Sequence, residues 1–141
     1  MVYITGDTHG DFRRVVNHVF SVSRSIEDVM IILGDAGINY FGKPEDRKLK
    51  KQLSALPITL LCIHGNHEMR PESIGTYEEK EWRGGVVYWE PKFPNLLFAK
   101  DGEVYDLEGR QCIAIGGAYS VDKYFRLISG TFHWYSSLYK G

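Results

Sequence analysis

The strongest constraint on this chain is the way its first half is punctuated. Three short apolar runs, Val2–Thr5, Val29–Leu33 and residues 58–63, each end in a polar loop that contains glycine. Each run is only a few residues long and holds β-branched side chains, which favours a buried parallel strand over a helix. Between the first two runs, Phe12, Val15, Val16, Val19 and Phe20 recur at the i, i+3, i+4, i+7, i+8 spacing of a helix with one apolar face, and Asp11 stands where an N-cap belongs. Between the second and third, Pro44 opens another helix, Glu45 and Asp46 suit its first turn, and Leu49, Leu53 and Leu56 form its apolar stripe. An order β, α, β, α, β implies parallel strands joined by right-handed crossovers, with a site at the carboxyl ends of the strands.

The second half has a different texture. Residues 86–89, Leu96–Ala99, Val104–Leu107 and residues 112–115 are short β-like runs, and Asp101-Gly102 and Glu108-Gly109 supply turns between the last three, so antiparallel hairpins are expected. Residues 91–94 read as a loop rather than a domain boundary, and Gly116-Gly117 as a place where a strand passes close to neighbouring backbone. With 141 residues and no repeat or linker, the chain reads as a single domain, residues 1–141, able to bury a core without disulfides.

Composition removes several function classes. A share of 43% hydrophobic and 25% charged residues is that of an ordinary globular protein, which excludes disorder and fibrous architecture. A net charge of −1 offers no basic field for nucleic acid or an anionic membrane. No apolar run approaches the roughly 20 residues needed to span a bilayer, and the start of the chain lacks the basic and apolar segments of a signal peptide. Cys62 and Cys112 lie singly in apolar runs and read as small buried hydrophobes of a reducing compartment. The expected location is the cytoplasm.

The chemistry-bearing residues sit at the three strand ends. Gly6-Asp7-Thr8-His9-Gly10, Gly34-Asp35 and His64-Gly65-Asn66-His67-Glu68 should converge on one edge of the sheet. Two carboxylates, an amide oxygen and imidazoles, without thiolates, suit divalent ions such as Mn, Fe or Zn, and a carboxylate can bridge two of them. Two such ions about 3.5–4 Å apart serve phosphate-ester hydrolysis well. Each of these residues taken alone is equally readable as turn or cap chemistry. His64 reads as loop packing, with substrate contact as the alternative, and His18, within the first helix, as a surface residue. Arg70, Lys123 and Arg126 are cations that either meet a substrate phosphate or remain solvated surface charges.

In order and spacing, Asp7-Thr8-His9, Gly34-Asp35 and Gly65-Asn66-His67-Glu68 resemble the opening motifs of the calcineurin-like metallophosphoesterase superfamily. The resemblance implies an α/β fold of the metallophosphoesterase sandwich type, with βαβαβ followed by β hairpins. It implies that Asp7 and His9 bind a first metal, that Asp35 bridges two, and that Asn66 binds the second and touches substrate. His67 would then donate a proton to the departing oxygen, and Glu68 would orient His67 or the loop. A phosphorylated substrate is implied, with Arg70 as a further contact.

The family continues with another histidine and a GHxH motif, which together supply three more metal-ligand histidines. After Glu68 the only histidine is His133, and no glycine precedes it in that pattern, so no role passes to it. The expectation is therefore a chain truncated at its C-terminus, with an incomplete second sheet, holding one metal tightly or two weakly. Its activity would be impaired or completed by another chain; the alternative is a non-catalytic member that binds metal or phosphate or serves as an interaction module. The aromatic C-terminal segment and the uncovered sheet suggest a homo-oligomer.

Overall fold

The computed structural model describes residues 1–22, 25–42 and 44–117. β1 (Val2–Thr5), β2 (Val29–Leu33) and β3 (Thr59–Ile63) pair in parallel, in register from Val2 opposite Val29 to Leu33 opposite Ile63. The crossovers carry α1 (Arg13–Val22) and α2 (Arg47–Ser54), the latter entered through a 3-10 turn at Pro44–Asp46. The βαβαβ order and these strand positions agree with the sequence reading. Asp11 accepts the Arg13 backbone N–H at 3.1 Å, satisfying one of the donors left open at the start of α1.

Downstream lie β4 (Glu78–Trp82), β5 (Gly85–Trp89), β6 (Leu96–Ala99), β7 (Val104–Leu107) and β8 (Arg110–Ile113). The order of the six-stranded sheet is β1-β2-β3-β6-β5-β4, and β7 and β8 form a second, two-stranded sheet. Three features differ from the expected run of hairpins. β6 lies parallel to β3, with Leu61 opposite Leu97. The Asp101-Gly102 turn closes no hairpin, because it carries the chain from the first sheet to the second; only Glu108-Gly109 joins paired strands among the last three. β4, missed in the sequence because its EEKEW run has no apolar alternation, pairs antiparallel with β5 at the sheet edge, where Lys80 sits 3.9 Å above the Trp89 ring. Charge on an edge strand discourages pairing with foreign strands.

The period of two along each strand sorts its side chains into two cores. One face of the large sheet, with Met30, Ile32, Leu60, Cys62 and Phe98, packs on Phe12, Val15 and Val19 of the first crossover and Leu53 of α2. The other, with Val29, Ile31, Leu61 and Leu97, packs on Tyr105 and Leu107 of the second sheet. Tyr105 fastens the sheets: its hydroxyl donates to the Val86 carbonyl at 2.6 Å and accepts the Lys100 N–H at 3.0 Å. Buried Asn95 donates to the carbonyls of Leu53, Leu56 and Ile58, joining the end of α2 to the approach to β3.

Two positions of α1 depart from expectation. Phe20 is exposed rather than part of the apolar stripe. His18 is half-buried, edge-on to Tyr3 with ring centroids 4.7 Å apart, and its Nε2 is buried without a hydrogen-bond partner among the described residues. Among the described residues no helix is long and apolar enough to cross a membrane. Lys123, Arg126, His133 and the C-terminal aromatics lie outside the described residues.

Candidate functional site

Because β1, β2 and β3 are adjacent and parallel, the loops that leave their carboxyl ends are neighbours. The first two are stitched together by backbone: His9 N–H donates to the Asp35 carbonyl at 2.8 Å and Gly10 N–H to Ala36 at 2.9 Å. The Thr8 hydroxyl also donates to the Ala36 carbonyl, at 2.8 Å. This approach leaves no room for a side chain at Gly37, where a Cβ would collide with the Gly10 nitrogen. His9 and Asp35 themselves have left-handed backbones, with φ of 47° and 46°. Non-glycine residues adopt that conformation at a cost, and such outliers concentrate where surrounding structure holds a functional group in place.

The outcome is a cluster in which Asp7, His9 and Asp35 each offer a ligand atom within 4.8 Å of the others. His9 Nε2 and Asp7 Oδ2 are 3.7 Å apart. Asp7 and His9 are exposed while Asp35 is buried, so the cluster opens to solvent on one side. Two carboxylates and an imidazole are the donors that divalent first-row ions accept, and their spacing lets one ion reach all three.

The loop after β3 completes the surroundings. His67 N–H donates to Asp35 Oδ1 at 2.8 Å, and the His67 ring stands edge-on to that of His9 at 5.8 Å. Gly65 lies so close to Asp35 that any Cβ would strike its carboxylate and backbone nitrogen. Asn66 is half-buried between these two contacts. Glu68, 2% exposed, turns away from solvent and accepts the N–H groups of Ala36, Gly37 and Gly65 at 3.4, 3.2 and 3.3 Å. Burial pushes its carboxyl up to about 7 against the pull of these donors, and the charge of Asp35 adds to the rise. Of the two roles expected of Glu68, this geometry is that of orienting the loop.

Arg70 points toward carboxylates, with Nη1 3.6 Å from Glu72 and 3.8 Å from Asp101. His64 is buried, as loop packing requires, and its Nε2 lies 2.7 Å from Asp101 Oδ2. Gly116 and Gly117 make a close approach, and what they meet is His64, its imidazole and its backbone carbonyl. Sequence reasoning missed Asp101 as a neighbour of this loop, since Asp-Gly is a sufficient explanation of a turn.

No curated protein matches the chain. A solved structure, that of a protein of unknown function, AQ665, from Aquifex aeolicus, is similar at 21% identity and a TM-score of 0.29, over 64% of this chain and 59% of that one. The chain thus spans less than two thirds of that relative's length. The family model for calcineurin-like phosphoesterases matches residues 1–137, nearly the whole sequence and all three strand-end loops. With its parallel strands delivering Asp7, His9 and Asp35 to one edge of a mixed sheet, the chain belongs to the calcineurin-like phosphoesterase family.

Proposed function

We propose that this chain hydrolyses phosphate esters with the help of divalent metal ions, Mn or a similar ion, held first by Asp7, His9 and Asp35. The observation that supports this reading most is the meeting of those three donors within 4.8 Å at the solvent-facing end of the sheet. Bound there, such ions supply the acidity that makes water a nucleophile at neutral pH and the positive charge that offsets the phosphoryl oxygens.

The remaining roles fall to the chain's own groups. Asp35 faces both ligand loops and is assigned as the shared ligand, while the Asn66 side-chain oxygen is assigned to a second ion and to the substrate phosphate. His67, whose ring flanks that of His9, is assigned as the proton donor to the departing oxygen, a contribution typically worth about 10²-fold to 10⁴-fold. Arg70, whose ion pairs among the described residues are long ones, is the cation assigned to the phosphate. The substrate class is a phosphomonoester, phosphodiester or nucleotide, in a reducing compartment such as the cytoplasm.

Elemental analysis of the purified chain and hydrolysis of 4-nitrophenyl phosphate with added Mn test the proposal together. The parent should bind metal and turn over, and Asp35→Ala should lose both. On an alkyl phosphate His67→Ala should fall by about 10²-fold or more. Metal binding without turnover would favour a non-catalytic binding module instead; absence of both would overturn the reading.

A further inference from the structure

The loop that presents Asn66 and His67 is held at both ends. At its far end Glu68 anchors it to the loop after β2, as described above. At its near end stands His64, 4% exposed, on which separate elements converge. Asp101, in the turn that leads from the first sheet to the second, brings Oδ2 to 2.7 Å from His64 Nε2, and its Oδ1 accepts the Gly116 N–H at 2.8 Å. Gly117 N–H donates to the His64 carbonyl at 2.9 Å. A Cβ at Gly116 would come within 2.7 Å of the imidazole, so the residues after β8 lie flat against the ring only because they are glycine.

Neither His64 nor Asp101 is assigned a step in the proposed chemistry; Asp101 spends both carboxylate oxygens on this arrangement, and its Oδ2 also lies 3.8 Å from Nη1 of Arg70. The residue after His64 is Gly65, pressed against Asp35, and the next two are Asn66 and His67. No regular secondary structure fixes those positions, so their placement depends on what grips the two ends of the loop. A proton donor displaced by about 1 Å can lose 10²-fold in rate.

We infer that Asp101 is a positioning residue, acting through His64 to fix the loop that carries Asn66 and His67. The inference rests on the phosphoesterase reading above. Removing the carboxylate leaves His64 Nε2 and the Gly116 N–H without their acceptor, freeing the near end while Glu68 still holds the far end. The metal cluster of Asp7, His9 and Asp35 lies on other loops and stays in place. Leaving-group protonation suffers most; because Asn66 shifts with the same loop, an ester that needs little protonation also slows, but by less.

The test uses the full chain, with Mn, carrying Asp101→Ala or Asp101→Asn, on an alkyl phosphate and on 4-nitrophenyl phosphate. Asp101→Ala should lower kcat on the alkyl ester by about 10-fold to 100-fold and affect kcat on the nitrophenyl ester far less. Asp101→Asn keeps an acceptor oxygen and should recover most of the loss. Hydrogen exchange should quicken in the peptide covering residues 64–68 of Asp101→Ala while β2 stays protected. Equal losses on both esters in step with a lowered melting temperature would reduce Asp101 to a plain structural brace, and unchanged exchange at residues 64–68 would overturn the inference outright. A parent chain inactive on both esters, with the exchange effect intact, would instead strike down the phosphoesterase reading.

Discussion

Gly65 shows how tightly the site is specified at the scale of single residues. Because a Cβ there would strike Asp35, Gly65→Ala should displace the buried carboxylate and abolish metal binding, measured by elemental analysis, while the cores on either side of the sheet remain intact. Glu68→Ala should act differently. It strands three backbone N–H donors in a buried setting and should cost on the order of 2–4 kcal/mol in urea unfolding, with Glu68→Gln losing less because it keeps one oxygen. Cys62 is fully buried and burial raises its thiol well above the ordinary value, so an alkylating reagent should modify Cys112 first and Cys62 only on unfolding. The candidate ligand residues could be read from the sequence because carboxylates, an amide and imidazoles gather at three strand ends. Asp101 could not, because its partner His64 is 37 residues away and nothing in an Asp-Gly turn points to it.

At the scale of elements, the first three strands announce themselves as short apolar runs and both helices by apolar periodicity. β4 does not, because its edge position gives it only one neighbour and its side chains are mostly charged. The same blindness hides Lys50, which sits on the charged-looking face of α2 yet is buried and paired with Glu90 at the end of the β5 strand. Removing one member of a buried pair leaves the other charge uncompensated, so Lys50→Met should cost about 3–5 kcal/mol in denaturant unfolding. The double variant Lys50→Met with Glu90→Leu should recover much of that loss. A single-variant cost equal to that of the double would show that packing, not charge, decides this site.

At the scale of the whole molecule, one face of the large sheet packs on α1 and α2, and the other packs, among the described residues, on Tyr105 and Leu107 of the second sheet. Among the described residues a cleft of about 720 Å3 lies between the sheets, and Ile4, Leu33, Ile113 and Ile115 along it are exposed by 53–73%. Apolar area of this kind favours self-association. Light scattering after size exclusion should show mass rising with concentration, and Ile4→Lys with Ile115→Lys should suppress the rise; a 16.2 kDa monomer at every concentration would contradict it.

The loops that carry the candidate ligands, Asp7 and His9, Asp35, and Asn66, lie roughly 30 residues apart in sequence and meet only when β1, β2 and β3 are in register. A short peptide cut from any one loop would therefore be a poor chelator, and metal affinity becomes a reporter of tertiary structure rather than of local composition. By linkage, an ion at 100 times its dissociation constant should stabilise the whole sheet by about 2.7 kcal/mol. Melting temperature titrated against Mn would then read out assembly of the fold itself, and a nick between β1 and β2 that separates the strands should erase the response even where every ligand residue survives.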